Sequence, residues 1–206
     1  MFCAATLQPR SQVSRCRWMA VGLANDLIGL LMFDPHNYRA NEFLKDGTPV
    51  TIRSIHPNDS GGIVDAFNRL DKESIYRRFF RLKKELTATE LQQLTHDDTG
   101  RVMALVVTTQ TDENESLMGG GRFVLDTLDA PQTASLAFLT DVRFHGRGVA
   151  SLILRHLIRI ARRSGLLRFE ADVLAENQPM LHVFRSCGLP MEQSRRGNVI
   201  QVTLSF

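Results

Sequence analysis

The chain has 206 residues, 43% hydrophobic and 23% charged, and its 25 Lys/Arg against 22 Asp/Glu leave a formal charge of +3. A chain of this size buries roughly 70% of the surface its unfolded form exposes, so a core forms without disulfides or metals, and disordered, collagen-like and coiled-coil organisations are excluded. A charge of +3 is too small to call for a nucleic-acid partner. Cys3, Cys16 and Cys187 form no Cys-x-x-Cys pair, which fits a reducing cytoplasm. The six histidines show no His-x-x-x-His or His-Glu-x-x-His spacing, so no metal site is expected.

Residues 1–45 read as an N-terminal extension. Arg10, Arg15 and Arg17 precede a mainly apolar run over 18–33 that Asn25 and Asp26 interrupt. The run is shorter than the roughly 20 apolar residues a membrane helix needs, and no small-x-small cleavage pattern follows. A short docking helix or a start codon placed too early fits it best, and a membrane-associated anchor is the alternative. No integral span is expected. After the turn-rich Asp34-Pro35-His36-Asn37, the folded domain is expected over 46–206, beginning at Asp46-Gly47-Thr48.

Residues 50–55 read as a strand, and Asp59 can cap a helix whose apolar positions are Ile63, Val64, Phe67 and Leu70. Helical pieces over 73–81 and 88–96 follow, the second after the capping pattern Thr87-x-x-Glu90. Residues 102–109 and 117–125 form a hairpin around a polar loop, and Gly119-Gly120-Gly121 inside the second strand predicts a bulge or a close ligand approach. A strand over 134–140, a long helix over 149–163, a strand over 167–174 and a short helix over 179–187 come next. Strands over 191–195 and 199–206 close the chain around Gly197-Asn198. The expected architecture is α/β (α+β), a mixed and mostly antiparallel sheet with one strand-helix-strand unit, flanked by helices.

The stretch over 138–151 joins a strand directly to a helix through His145-Gly146-Arg147-Gly148. Glycines let the backbone turn sharply, and the helix start adds unpaired N–H groups and a positive dipole end, an arrangement suited to a pyrophosphate. The same glycines could serve only the turn. A dinucleotide fold fits poorly, because Ser151 stands at the third glycine position and Glu170 lies near the start of its strand. A P-loop is excluded by the lack of Gly-Lys-Ser/Thr. Arginines 143, 147, 155, 159, 162, 163 and 168 make this flank positive, most simply as the solvated face of an amphipathic helix, and no nucleic-acid motif accompanies them. His156 and His182 read as surface or interface groups, and Cys187 as a small buried apolar residue.

The stretch resembles the CoA-binding signature of the GNAT superfamily of N-acetyltransferases, Gln/Arg-x-x-Gly-x-Gly/Ala, with His145, Gly148 and Ala150 in the named places. Asn177, Pro179-Met180-Leu181, Phe184 and Cys187-Gly188-Leu189 resemble a second segment of that superfamily. Asp46 to Arg53, Tyr76-Arg77-Arg78-Phe79-Phe80 and Phe169 to Asn177 are similar to the bacterial subgroup related to protein lysine acetyltransferases. The resemblance implies a GNAT-type fold and transfer of an acetyl group from acetyl-CoA to a primary amine, possibly a protein lysine, in a ternary complex. It implies that Leu139 and Thr140 pair with the pantetheine arm. His145, Gly146, Arg147, Gly148, Val149 and Ala150 would hold the pyrophosphate, and Asn177 would lie near the thioester. The subgroup's basic glutamate falls on Ser135 and its acidic tyrosine on Phe184, neither able to move the proton. Glu170, Asp172, Glu176, Asp141, Glu113 and Glu115 are the substitute candidates, and a noncatalytic acyl-CoA-binding regulatory module is the alternative function.

Overall fold

The computed structural model describes residues 37–79, 83–96, 100–111, 114–127 and 132–206. The expectations for the apolar run over 18–33, for Cys3 and Cys16, for Glu113 and for the end of the helix over 73–81 lie outside the described residues. The strands are β1 (Arg39–Phe43), β2 (Pro49–Ser54), β3 (Val102–Thr111), β4 (Asn114–Leu125), β5 (Thr133–Thr140), β6 (Arg168–Leu174), β7 (Met191–Arg196) and β8 (Val199–Ser205). They form one sheet in the order β1-β2-β3-β4-β5-β6-β8-β7. Every neighbouring pair is antiparallel except β5 and β6. The helices are α1 (Ser60–Asn68), α2 (Lys72–Phe79), α3 (Ala88–Thr95), α4 (Val149–Arg163) and α5 (Gln178–Arg185).

The mixed, mostly antiparallel sheet matches the sequence reading, and α4 has the expected bounds. Its apolar residues are buried while Arg155, Arg159, Arg162 and Arg163 are exposed, the one-sided stripe that a helix lying on a sheet requires. Thr87 and Glu90 form the reciprocal cap of α3: the Thr87 hydroxyl accepts from Glu90 N at 3.3 Å, and Glu90 accepts from Thr87 N at 2.9 Å. Asp59 stands at the start of α1 but makes no cap bond to it. Its carboxylate instead takes a two-pronged contact from Arg53 at 2.7 and 2.8 Å and accepts from His56 N at 2.7 Å.

Strand β1 precedes Asp46 and is absent from the sequence reading. Arg39-Ala40-Asn41-Glu42-Phe43 has too little apolar alternation to announce a strand, and its pairing with Thr51, Ile52 and Arg53 of β2 makes it one at the sheet edge. It is tied to α4 through His156, which is fully buried, not a surface group. The Tyr38 hydroxyl meets Nδ1, and Nε2 lies 3.0 Å from Glu42 Oε1. One neutral tautomer satisfies both contacts, with Tyr38 O–H donating to Nδ1 and Nε2–H donating to the carboxylate.

The glycine run in β4 serves close packing. A Cβ on Gly119 would stand 2.8 Å from the Leu139 carbonyl oxygen, and one on Gly121 would stand 2.6 Å from Ile153 Cγ2 and 2.8 Å from Phe138 Cδ1. The expected bulge is present on β4 itself: Val107 pairs with Gly119 and Thr108 with Leu117, so Met118, next to the glycine run, is the extra residue. What approaches the glycines is β5 and α4, so the register of that strand and the seating of that helix depend on missing side chains.

Gly121→Ala is therefore expected to destabilise the fold by about 1–3 kcal/mol, read from urea unfolding, because the added methyl has no room. Burial lowers the pKa of His156 from its ordinary 6.5, with Arg159 and Arg155 acting in the same direction and Glu42 opposing. The unfolded chain therefore takes up a proton first as pH falls, and stability is lost below about pH 6.5. His156→Gln, itself costing about 1–3 kcal/mol through the broken contacts, is expected to flatten this slope between pH 7 and pH 5 in urea titrations.

Candidate functional site

β5 is paired with β4 along its whole length, from Leu125↔Ala134 to Gly119↔Thr140. Its other neighbour, β6, pairs only at Thr133↔Arg168, Ala134↔Phe169 and Ser135↔Glu170. Beyond Ser135 the strands part, while β6 stays bound to β8 as far as Leu174↔Val199. The facing edges of 136–140 and 171–173 thus present backbone N–H and C=O groups to a gap. The gap widens into a cavity of about 680 Å³ lined by both strands, by the glycine turn and by α5.

Two faces meet there. A Cβ on Gly121 would touch both Phe138 and Ile153, so Phe138 lies on the α4 side of the sheet. Alternation along β5 puts Ser135, Ala137 and Leu139 on the other side, where Leu139 packs against Phe67, Leu70 and Ile75. On the α4 side Phe138 meets Phe184 of α5 edge to face, with ring centroids 6.0 Å apart. Phe184 is almost fully buried. Its ring is an apolar wall with no proton to give, as its residue type predicts.

At the far end of β5 the chain turns through Asp141, a single 3-10 turn over Val142–Phe144, and the glycines. Asp141 is fully buried and organises the turn. It accepts from Arg143 N at 3.0 Å, the Arg143 guanidinium at 2.9 Å and Arg69 Nε at 2.7 Å. Burial pushes its carboxyl upward, but the hydrogen bonds from Arg143 and Arg69 outweigh this and hold it below the usual carboxylate range. Asp141 is thus a structural anion that does not line the cavity, and it is not the proton acceptor the sequence reading allowed.

Gly146 and Gly148 have φ of 75° and 91°, a left-handed backbone that side chains resist. Gly148 starts α4 without a side-chain cap, so the first N–H groups of the helix remain available to an anion. Val149, Ala150 and Ser151 line the cavity there, as do His145, Gly146 and Gly148. These residues fit a pyrophosphate by backbone donors and dipole. His145 Nε2 donates to the Thr140 carbonyl at 3.1 Å, which closes the turn; in that tautomer Nδ1 carries no proton, so only the imidazolium could also donate to a phosphate.

Arg147 stands apart from the other turn residues. Its guanidinium reaches Asp46 at 2.7 Å and Thr48 Oγ1 at 2.6 Å, lies over the Phe144 ring, and takes no part in lining the cavity. The hydrogen bond from Arg147 holds the Asp46 carboxyl far below its ordinary value. This contact straps the β1–β2 turn to the glycine turn and brings Lys45 alongside, its side chain 3.4 Å from where a Gly148 Cβ would stand. Lys45 is a cavity-lining cation that the sequence reading missed. Nothing local marks it, since its place depends on a contact between segments a hundred residues apart.

Leu139, Thr140 and Asn177 line the same cavity. Asn177 caps α5, its Oδ1 accepting from Met180 N at 3.2 Å. Among the candidate acids, Glu115 is engaged by Arg53 and Thr108 and held below the usual range by the Arg53 contact. Glu115 and Glu176 lie outside the cavity lining, whereas Glu170 and Asp172 are part of it. Cys187 is half-buried rather than buried as expected, because it lies beyond the end of α5 at Arg185. Among the described residues no three His, Cys, Asp or Glu side chains are placed to hold a metal ion, and no helix is long and apolar enough to cross a membrane.

A profile of the acetyltransferase (GNAT) family matches residues 69–189. The chain is 28% identical over 139 residues to an acetyltransferase of Pseudomonas aeruginosa, covering 68% of this chain and 74% of that one. It is also 28% identical over 141 residues to acetyltransferase Pat of Mycolicibacterium smegmatis, covering 66% of this chain and 40% of that longer protein. The GNAT domain of S. lividans PAT superposes with a TM-score of 0.73 at 28% identity, covering 82% of this chain and 97% of the domain. The ribosomal L7/L12 acetyltransferase RimL shares the fold with a TM-score of 0.62 at 14% identity, covering 76% of this chain and 94% of its own. The family's chemistry is acyl transfer from acyl-CoA to amines. With the parted strands, the glycine turn and the profile covering more than half its length, this chain belongs to the acetyltransferase (GNAT) family.

Proposed function

We propose that the protein transfers an acetyl group from acetyl-CoA to a primary amine, with a protein lysine side chain as acceptor. The observation that carries this reading is the gap between β5 and β6, which runs from the Ser135↔Glu170 pair to the uncapped start of α4 at Gly148. A narrow channel with backbone donors and acceptors along its walls and an anion-receptive turn at its mouth suits an extended diphosphate ester that carries amides. The similarity of Asp46 to Arg53 and of Phe169 to Asn177 to the bacterial subgroup related to protein lysine acetyltransferases supports a lysine acceptor.

In this reading Leu139 and Thr140 offer strand-edge groups to the pantetheine arm. His145, Gly146, Gly148, Val149 and Ala150 receive the pyrophosphate, and Asn177 stands near the thioester end. Arg147 contributes by strapping the turn. Acetyl-CoA supplies the activated carbonyl. The chain supplies orientation, N–H donors that stabilise negative charge on the carbonyl oxygen, and an apolar wall at Phe184 that excludes water. The attacking amine, with an ordinary pKa of about 10.4, must reach the carbonyl deprotonated. Ser135 and Phe184, at the positions the subgroup uses for proton transfer, favour the binding-only module as the second reading.

Calorimetry with acetyl-CoA, beside a thiol-release assay on amines and lysine peptides, separates the two. Binding with thiol release is expected. Binding without release would favour the module, and absence of binding would remove the acetyl-CoA reading. Gly148→Ala is expected to weaken acetyl-CoA binding about tenfold in the calorimeter, because a Cβ at φ 91° strains the turn by about 1–3 kcal/mol.

A further inference from the structure

The side chain at the expected base position is a serine, but the sheet places a carboxylate beside it. Ser135 of β5 and Glu170 of β6 are register partners in the parallel pair, so their side chains share a face and stand next to each other. That face is the one opposite α4, and both residues line the cavity. Ser135 is exposed and small, and Ala137, next on the same face, is small as well, so β5 leaves open space beside the Glu170 carboxylate.

Glu170 also occupies the root of the gap. The Ser135↔Glu170 pair is the last rung between β5 and β6, so a group lodged between the strands from the Gly148 end is stopped at Glu170. Its charged neighbour is Arg168 on the same strand, at 3.5 Å, a loose contact that leaves the carboxylate oxygens open to another donor. The remaining cavity acid, Asp172, is exposed, faces Gln201 of β8 and lies two residues toward the mouth. The other acids among the described residues that the sequence reading considered are bound to arginines or lie outside the cavity.

We infer that Glu170 is the proton acceptor for the attacking amine, the carboxylate having moved one strand across the sheet from the position Ser135 holds. This inference rests on the acyl-transfer reading above. The ammonium gives one proton to Glu170, directly or through one water, and the freed lone pair attacks the thioester carbonyl carbon. The C–N bond forms as the C–S bond breaks, the second N–H proton goes to the departing thiolate, and Glu170 later returns its proton to solvent. Ammonium and thioester thus become amide, thiol and one proton.

The test compares wild type with Glu170→Gln, a near-isosteric change, by thiol release across pH and by calorimetry with acetyl-CoA. The variant is expected to bind acetyl-CoA as wild type does, yet to lose at least about 100-fold in kcat/KM at neutral pH. Its rate should rise about tenfold per pH unit toward the acceptor's own pKa near 10.4, since only already neutral amine reacts. Adding Ser135→Glu to that variant returns a carboxylate to the same rung and is expected to restore much of the rate. A wild type that turns over while Glu170→Gln keeps both its rate and its pH profile would overturn the role of Glu170, as would the same loss in Asp172→Asn alone. A wild type that neither binds acetyl-CoA nor releases thiol would instead remove the acyl-transfer reading on which it rests.

Discussion

The site depends on two strands that start as neighbours and do not remain so. Backbone hydrogen bonds hold β5 to β4 and β6 to β8 along their lengths, and the two halves of the sheet share only the rungs that end at Ser135 and Glu170. Unpaired strand edges inside a protein are costly unless something meets their polar groups. The parted edges therefore carry backbone donors and acceptors of the kind an extended ligand pairs with. Gly119 and Gly121 settle how deeply β5 and α4 sit on β4, and the contact between Phe138 and Phe184 fills the α4 side of the opening.

Charge is used mainly to hold the walls of this opening. Asp141 is a buried anion met by two arginines and a backbone N–H, and losing both arginines would leave an uncompensated charge out of water. The exposed pair between Arg147 and Asp46 contributes little by its Coulomb energy and more by fixing where the β1–β2 turn lies. Much of the arginine cluster in the sequence is spent in this way or on the solvated face of α4. The charged groups that remain on the cavity wall are few, and the two acids among them share one face of β6.

Membership of the acetyltransferase (GNAT) family gives acyl transfer as the chemistry, while in the proposed reading Ser135 and Phe184 stand where the resembling subgroup moves protons. A sheet tolerates such an exchange because side chains on adjacent strands at one register stand within a few ångströms of each other. A carboxylate can cross to the neighbouring strand and still serve the same point in space, whereas a ring such as Phe184 can only shape the pocket. On the same face as Ser135 and Ala137, Leu139 packs against Phe67, Leu70 and Ile75.

What the sequence by itself determined is local. The stripe of α4, the Thr87–Glu90 cap and the glycines of the turn over 145–148 are set by residues a few positions apart, and each has one structural solution. The tertiary structure alone decided that Arg39 to Phe43 is a strand, that His156 is buried between Tyr38 and Glu42, that Arg147 reaches Asp46 and turns from the cavity, and that Glu170 stands beside Ser135. Each of these rests on a contact between segments distant along the chain. Such contacts follow from strand register and helix seating, which arise from the packing of the whole sheet and leave no mark in the spacing of neighbouring residues.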